Sequence, residues 1–251
     1  NGTTWNLVGD KIYGENLQDE NGYSINLNAT GDTLAIGAIK YDSENTDVGQ
    51  VRVYKYINAG GWTQIGSDII GTSSYDQTGT GVALNDDGTI LAVGSAYVDP
   101  SNNGSISVYE YSSESGWSVL GDVINGLYYE GNLGFSIKLN SSGTIVATGA
   151  PTTVDSSYGR VDVYEYSNSS WSKISDRFST NLIGSENELF GYSIDMNAEG
   201  NLIAIGAPHN DSLTDNEKQG YTKVFTSGVI IEPEPEPEPC LLYTSPSPRD
   251  Y

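Results

Sequence analysis

Apolar and polar positions along this chain fall into short segments of two kinds. In one kind they alternate, as in Gly22-Tyr-Ser-Ile-Asn-Leu-Asn28 and Val51-Arg-Val-Tyr-Lys-Tyr56. A period of two is the mark of a strand with one face buried and one exposed. The other kind is continuously apolar and built from small residues, as in Thr33-Leu-Ala-Ile-Gly-Ala38. That pattern predicts a strand covered on both faces. No segment carries a helical period. Between the first alternating segment and the apolar one lies Asn28-x-x-Gly31. Asn at the first position and Gly at the fourth suit a type I turn closing a tight hairpin.

The whole set then recurs. The first segment returns from Gly79, Gly134 and Gly191, and the turn returns at Asn85–Gly88, Asn140–Gly143 and Asn197–Gly200. The apolar segment returns with its glycine at 94, 149 and 206. The second alternating segment returns as I-S-V-Y-E-Y, V-D-V-Y-E-Y and a degenerate T-K-V-F. All four tryptophans share one register, Trp5, Trp62, Trp117 and Trp171, with spacings of 57, 55 and 54. The first three open W-x-x-Φ-G, whereas Ser175 stands where the fourth would have its glycine. Self-similarity at a fixed period outweighs any single motif. It predicts an all-β fold, a β-propeller of four-stranded antiparallel blades, with four repeats over about 5–56, 62–111, 117–166 and 171–226. The recurrent Trp and Tyr are expected to fill the space between blades, and the small Ala and Gly to sit where strands crowd. The last repeat has no Trp strand of its own, and the first has one to spare at Trp5. That strand either completes the last blade and closes a four-bladed ring, or belongs to an upstream blade. The missing initiator Met favours the second reading, a fragment of a larger ring.

With these residues in view, the sequence resembles the FG-GAP-type propeller repeats of secreted and cell-surface proteins, common in marine microbes and similar to integrin α-subunit propellers. The FG element is represented by Gly22-Tyr23, Gly134-Phe135 and Gly191-Tyr192, and is broken at Gly79-Thr80. The GAP element is intact at Gly149-Ala150-Pro151 and Gly206-Ala207-Pro208 and altered at Gly37-Ala38-Ile39 and Gly94-Ser95-Ala96. The resemblance covers residues 5–226 and implies a seven-bladed ring, calcium in some blade loops, and a ligand or partner on a loop face. The family's calcium loop, D-x-D-x-D-G-x-x-D, gathers oxygens around a hard cation that takes six to eight of them. The matching loops here are Asp42, Glu44 and Asp47 in blade one and Asp211, Asp215 and Glu217 in blade four. They hold enough oxygens at the wrong spacing, and blades two and three keep one Asp each, Asp99 and Asp155. The competing reading is a solvated acidic turn in which Asp caps local amides. A second acidic position lies three residues before the FG strand, at Asp19, Asp76 and Glu188, with Gly131 breaking the series. Its recurrence points to a structural role, bonding backbone amides of the turn, because an active site is made once.

Composition then narrows the function. The 251 residues hold 33 Asp and Glu against 11 Lys and Arg, a formal charge of −22. A nucleic-acid partner needs a basic footprint, so this balance excludes one. No apolar run is long enough to span a bilayer as a helix. Glu232–Pro239 alternates Glu and Pro, which predicts an extended, charge-stretched linker. The stretch from Cys240 to Asp250 resembles the translation of a sequencing-library adaptor, so 240–251 reads as a non-native tail and the single Cys as uninformative. Setting aside 232–251 removes four Glu, Asp250 and Arg249, leaving 28 acids and 10 bases, −18. The acidity therefore belongs to the repeats. One histidine, His209, precludes a His-based metal site or triad network, and there is neither a phosphate-cradling loop nor a nucleophile elbow. Sequons occur at Asn1, Asn28, Asn103, Asn140, Asn168 and Asn210. The reading is a non-enzymatic extracellular or cell-surface propeller that presents loops to a protein or glycan ligand. The alternatives are a polysaccharide-acting propeller enzyme and a purely structural repeat array.

Overall fold

The computed structural model describes residues 4–58, 60–97, 103–126, 131–151, 158–175, 182–186, 188–209 and 220–228. Asp99, Asp155, Asp211, Asp215, Glu217, the Glu-Pro segment and residues 240–251 lie outside them. The described residues are strand and turn with almost no helix, in four antiparallel sheets arranged as the blades of a β-propeller. The first blade runs β1 (Asn21–Leu27), β2 (Thr33–Ala38), β3 (Gln50–Ile57) and β4 (Gly61–Gln64), and short β5 (Ile69–Ile70) returns to pair with β3. The second repeats this with β6 (Thr78–Leu84), β7 (Ile90–Ser95), β8 (Ser105–Ser112), β9 (Gly116–Val119) and β10 (Ile124–Asn125). The third has β11 (Ser136–Leu139), β12 (Ile145–Ala150), β13 (Tyr158–Ser167), β14 (Ser170–Lys173) and β15 (Ile183–Glu186). The fourth has β16 (Ser193–Met196), β17 (Leu202–Ala207) and β18 (Tyr221–Thr226).

The Asn-x-x-Gly turn closes the first hairpin of every blade. Amides of Gly31, Gly88, Gly143 and Gly200 each donate to the carbonyl of the Asn three residues earlier, at 3.0 Å. The Asn side chain then ties off the far strand: Asn28 Oδ1 accepts from Asp32 and Thr33, Asn85 Oδ1 from Thr89 and Ile90, and Asn140 Oδ1 from Ile145. Asn28 and Asn140 are buried in this work, so these two sequons are built into the fold.

Each Trp strand closes the preceding sheet. Trp62 in β4 faces Tyr56 of β3, Trp117 faces Tyr111, and Trp171 faces Tyr166. The ring centroids lie 5.4, 5.1 and 5.1 Å apart. A blade therefore starts at the G-Y-S-I strand and ends on the tryptophan, one strand out of phase with repeats counted from Trp. Each indole also donates to the previous Trp strand: Trp62 Nε1 to Val8 O at 2.9 Å, Trp117 Nε1 to Ile65 O at 3.1 Å, Trp171 Nε1 to Leu120 O at 2.8 Å. The tryptophans thus pack within a blade and bond between blades. Val8 and Gly9 stand against Trp62 of blade one in the place an upstream fourth strand would hold, while Trp5 is fully exposed. They do not lie on blade four.

Three apolar clusters make the core, and each straddles a pair of neighbouring blades. One joins Ala35, Val51 and Val53 to Val82, Leu84 and Leu91; the next joins Ala92, Ile106 and Val108 to Ile137, Leu139 and Val146; the third joins Ala147, Val161 and Val163 to Met196 and Ile203. At about 1.5–3 kcal/mol per fully buried aliphatic side chain, these junctions are the main cohesive term of the fold. Position decides how far each strand is covered. Innermost β6 is buried throughout, where alternation alone predicted a half-exposed strand, because blades flank it on both sides. Its counterpart β1 leaves Tyr23, Ile25 and Leu27 exposed.

The glycine of the GAP element makes room chiefly for the neighbouring blade. A Cβ on Gly37, Gly94 or Gly149 would stand 2.2, 2.0 or 1.9 Å from the carbonyl oxygen of Gly79, Gly134 or Gly191 on the next blade. The first glycine of the FG strand is what approaches. Ser24 and Ser136 hydroxyls then bond Gly79 O at 2.6 Å and Gly191 O at 2.7 Å.

Candidate ligand-binding face

The recurrent acid is a cap. Asp19 Oδ2 accepts from the Asn16 amide at 2.7 Å. Asp76 Oδ2 accepts from Thr72 and Ser73 at 3.0 and 2.8 Å, and Glu188 Oε2 from Ser185 at 2.8 Å. A carboxylate is the acceptor of choice for amides converging at a buried corner, since charge-assisted bonds are roughly twice as strong as neutral ones. Asp19 and Asp76 are buried, and the residue after each acid, Glu20, Gln77 and Leu189, takes the left-handed conformation. Such a backbone costs an L-residue about 1–2 kcal/mol, which the capped corner must offset. Glu188 also accepts from the Tyr221 hydroxyl, and burial together with that bond raises the Tyr221 pKa. These acids are committed to the scaffold, as their recurrence implies.

This corner aims the next residues at the axis. The innermost strands β1, β6 and β16 each begin at such a corner, while β11 begins after Gly131 and the left-handed Asn132, without the acid. Phe135 and Tyr192 rings lie 5.0 Å apart. The Tyr23 hydroxyl titrates above its ordinary value through burial first, then through the neighbouring phenols of Tyr97 and Tyr192 and the carboxylate of Glu20. Tyr97 is shifted the same way by burial and by Tyr192. Tyr23, Tyr97 and Tyr192 thus lie within electrostatic reach of one another, Tyr192 also packs on Phe135, and the four residues come one from each blade, with Tyr23 and Tyr192 each half-exposed. Blade two has Thr80 at the FG position and supplies its ring from Tyr97, three residues after Gly94. Sequence reasoning missed Tyr97; its departure from Lys40 and His209 at the equivalent positions is the one signal it left.

The blade-one calcium candidates do not converge. Asp42 and Glu44 are exposed and Asp47 is half-buried. Asp42 Oδ1 accepts from the Asp47 amide at 2.7 Å, the capped-turn arrangement. Among the described residues, no three side chains of metal-ligating type come together. The residues at Asp42, Glu44 and Asp47 therefore lack the multidentate fit a calcium ion demands. A second feature is a cleft of about 330 Å³ around β7 and β8, lined by apolar Ile70, Val93, Val119 and Val123 as well as by Asp76, Thr78, Ser95, Ser105 and Tyr109, among others. Asp76 Oδ1 is buried without a partner and belongs to that lining. Among the described residues no helix is long and apolar enough to cross a membrane.

Protein-family models and curated proteins alike give no match to this chain, so its four-bladed architecture and the axial rings carry the functional argument by themselves.

Proposed function

We propose that this protein is a non-enzymatic, extracellular or cell-surface binding propeller of the FG-GAP type, whose axial rings take a neutral glycan. The cluster of Tyr23, Tyr97, Phe135 and Tyr192 carries the reading. Half-exposed tyrosines offer a flat apolar face with a polar rim, the combination favoured where a ligand is partly wet. A charge of −22 repels anionic polymers at long range, which favours an uncharged ligand. The acids that recur in three of the four blades cap backbone amides, which supports binding over hydrolysis. Glycan-array screening followed by calorimetry tests the proposal. Tyr23→Ala and Tyr192→Ala are each expected to weaken the best neutral oligosaccharide about tenfold, equivalent to about 1.4 kcal/mol. Binding that ignores both substitutions, or an array without neutral binders, overturns it. Release of reducing sugar by the wild-type chain selects the enzymatic alternative.

A further inference from the structure

The cleft around β7 and β8 lies at the junction of blades one and two, since Ile70 of β5 belongs to the first sheet and β7, β8 and β9 to the second. It corresponds to the place that an arginine fills in blade one. The pairing registers make Arg52, Ser107 and Asp162 equivalent: they face Ile36, Val93 and Thr148 on the preceding strands. In blade one Arg52 Nη2 donates to Tyr13 O at 2.7 Å and to Asn21 Oδ1 at 3.1 Å. Nη1 lies 3.6 Å from Glu15 Oε1, and the guanidinium carbon stands 5.7 Å from the centre of the Tyr54 ring. The repeat supplies a counterpart for each neighbour. Tyr13 and Glu15 follow Trp5 as Ile70 and Thr72 follow Trp62, Asn21 precedes Gly22 as Thr78 precedes Gly79, and Tyr54 corresponds to Tyr109. All four counterparts, Ile70, Thr72, Thr78 and Tyr109, line the cleft.

Blade two thus keeps the surroundings of that guanidinium without the side chain that carries it. Ser105 and Ser107 stand where blade one has Gln50 and Arg52 and blade three has Arg160 and Asp162. Val119 stands where those blades have Gln64 and Lys173. These short or apolar replacements open a volume of about 330 Å³, within the range of small-molecule pockets. An acid remains in its wall. Asp76 is only 4% exposed, and its Oδ2 accepts from the Thr72 and Ser73 amides. Its Oδ1 is buried with no partner among the described residues. A carboxylate oxygen in that position bears the cost of its lost hydration, so a donor brought to it by a ligand is bound well. Val93 and Val119 supply apolar wall for the stem behind such a donor. The rings of Tyr23, Tyr97, Phe135 and Tyr192 take no part in this lining.

We propose that this cleft binds an alkylguanidinium, its cation over the Tyr109 ring, its N–H groups on Asp76 Oδ1, Thr78 Oγ1 and the Ile70 carbonyl, and its stem along Val93 and Val119. A planar fork of donors meets a carboxylate and further acceptors together, which the point charge of an ammonium does not. The ring face attracts the same cation. The chain's charge of −22 raises the local concentration of any cation at long range. A free alkylguanidine and the arginine side chain of a partner protein present this one group.

Titration of the full, isotope-labelled chain with N-propylguanidinium, followed by amide NMR shifts, tests this. Saturable shifts are expected at Val93, Ser105, Ser107 and Tyr109, with a Kd on the order of 1 mM for so small a probe. N-propylurea has the same shape without the charge and is expected to bind at least about tenfold more weakly. Asp76→Asn keeps an acceptor for the Thr72 and Ser73 amides while removing the charge, and is expected to weaken the probe about tenfold or more. Ser107→Arg supplies the guanidinium from within, as Arg52 does in blade one, and is expected to abolish binding while raising the thermal midpoint. Shifts that fail to saturate up to about 50 mM overturn the proposal, as do shifts scattered over the acidic surface. So does N-propylurea binding as tightly as the cation, or a wild-type Kd in either variant. End-blocked Gly-Arg-Gly identifies the source: binding as tight as N-propylguanidinium supports a partner's arginine, and exclusion of the peptide supports a free alkylguanidine.

Discussion

Gly149 and Gly206 occupy the same place in the repeat, both followed by Ala-Pro, and the structure assigns them opposite sensitivities. Neither has a left-handed backbone, so alanine is conformationally acceptable at both and is favoured over glycine in a strand by roughly 0.5–1 kcal/mol. At Gly149 the new Cβ would lie 1.9 Å from Gly191 O and 2.3 Å from Ser136 Oγ. Ordinary contact begins at 3.4 Å, so blade four must retreat by about 1.5 Å. That movement loses the Ser136–Gly191 bond, about 1 kcal/mol, and loosens the third cluster around Met196 and Ile203. Overpacking of this kind typically costs about 1–3 kcal/mol, giving a net loss of roughly 2–3 kcal/mol for Gly149→Ala. At Gly206 the Cβ meets only the Ser193 hydroxyl at 2.3 Å, which rotates aside, so the change there stays within about 0.5–1 kcal/mol and leans towards stabilisation. Urea unfolding read from the linear dependence of ΔG on denaturant separates the two. A Gly149→Ala protein within about 0.5 kcal/mol of wild type would refute the inter-blade reading of this glycine. A Gly206→Ala protein as unstable as Gly149→Ala would refute it equally.

Further expectations follow from the corners, the buried phenols and the acidic loop. Asp76→Ala leaves the Thr72 and Ser73 amides without their acceptor and is expected to cost about 2–3 kcal/mol, read as a lowered thermal midpoint; a change below about 0.5 kcal/mol would remove the capping role. Tyr54, Tyr109 and Tyr164 are all held above the ordinary value of 10, by burial foremost. Above pH 10 the unfolded chain releases these protons and the folded chain keeps them, so stability is whole below pH 10 and falls as pH rises beyond it. Ultraviolet titration is expected to show these phenolates appearing together with unfolding; ionisation of all tyrosines near pH 10 in a folded chain would contradict the burial. Asp42→Ala is expected to cost about 1 kcal/mol through its lost cap, equally in millimolar calcium and in chelator, and a calcium-dependent difference would restore the metal reading of that loop.

Much of a single blade is legible in the chain itself, because its determinants are local. The period-two segments, the Asn-x-x-Gly turn and the capping acids act over a few residues, and the turns form as read in every blade. Trp62, Trp117 and Trp171 meet Tyr partners six, six and five residues away, which a repeated pattern makes visible. What spans blades was not legible. Ser24 reaches Gly79 and Ser136 reaches Gly191 across 55 residues, so the purpose of the GAP glycine lies in a carbonyl that only assembly brings near. The axial cluster is hidden for the same reason, since Tyr97 comes from outside the repeat pattern and joins Tyr23 and Tyr192 only once the innermost strands converge. Equal sequences also receive unequal environments. Ile25 and Ile137 occupy one motif, yet one is exposed and the other buried, because burial depends on whether a blade stands in front. The sequence by itself determined the blade; the tertiary structure alone decided which faces of the blades are joined and which are left open, since a hydrophobic strand face records its need for a partner and not the partner's identity.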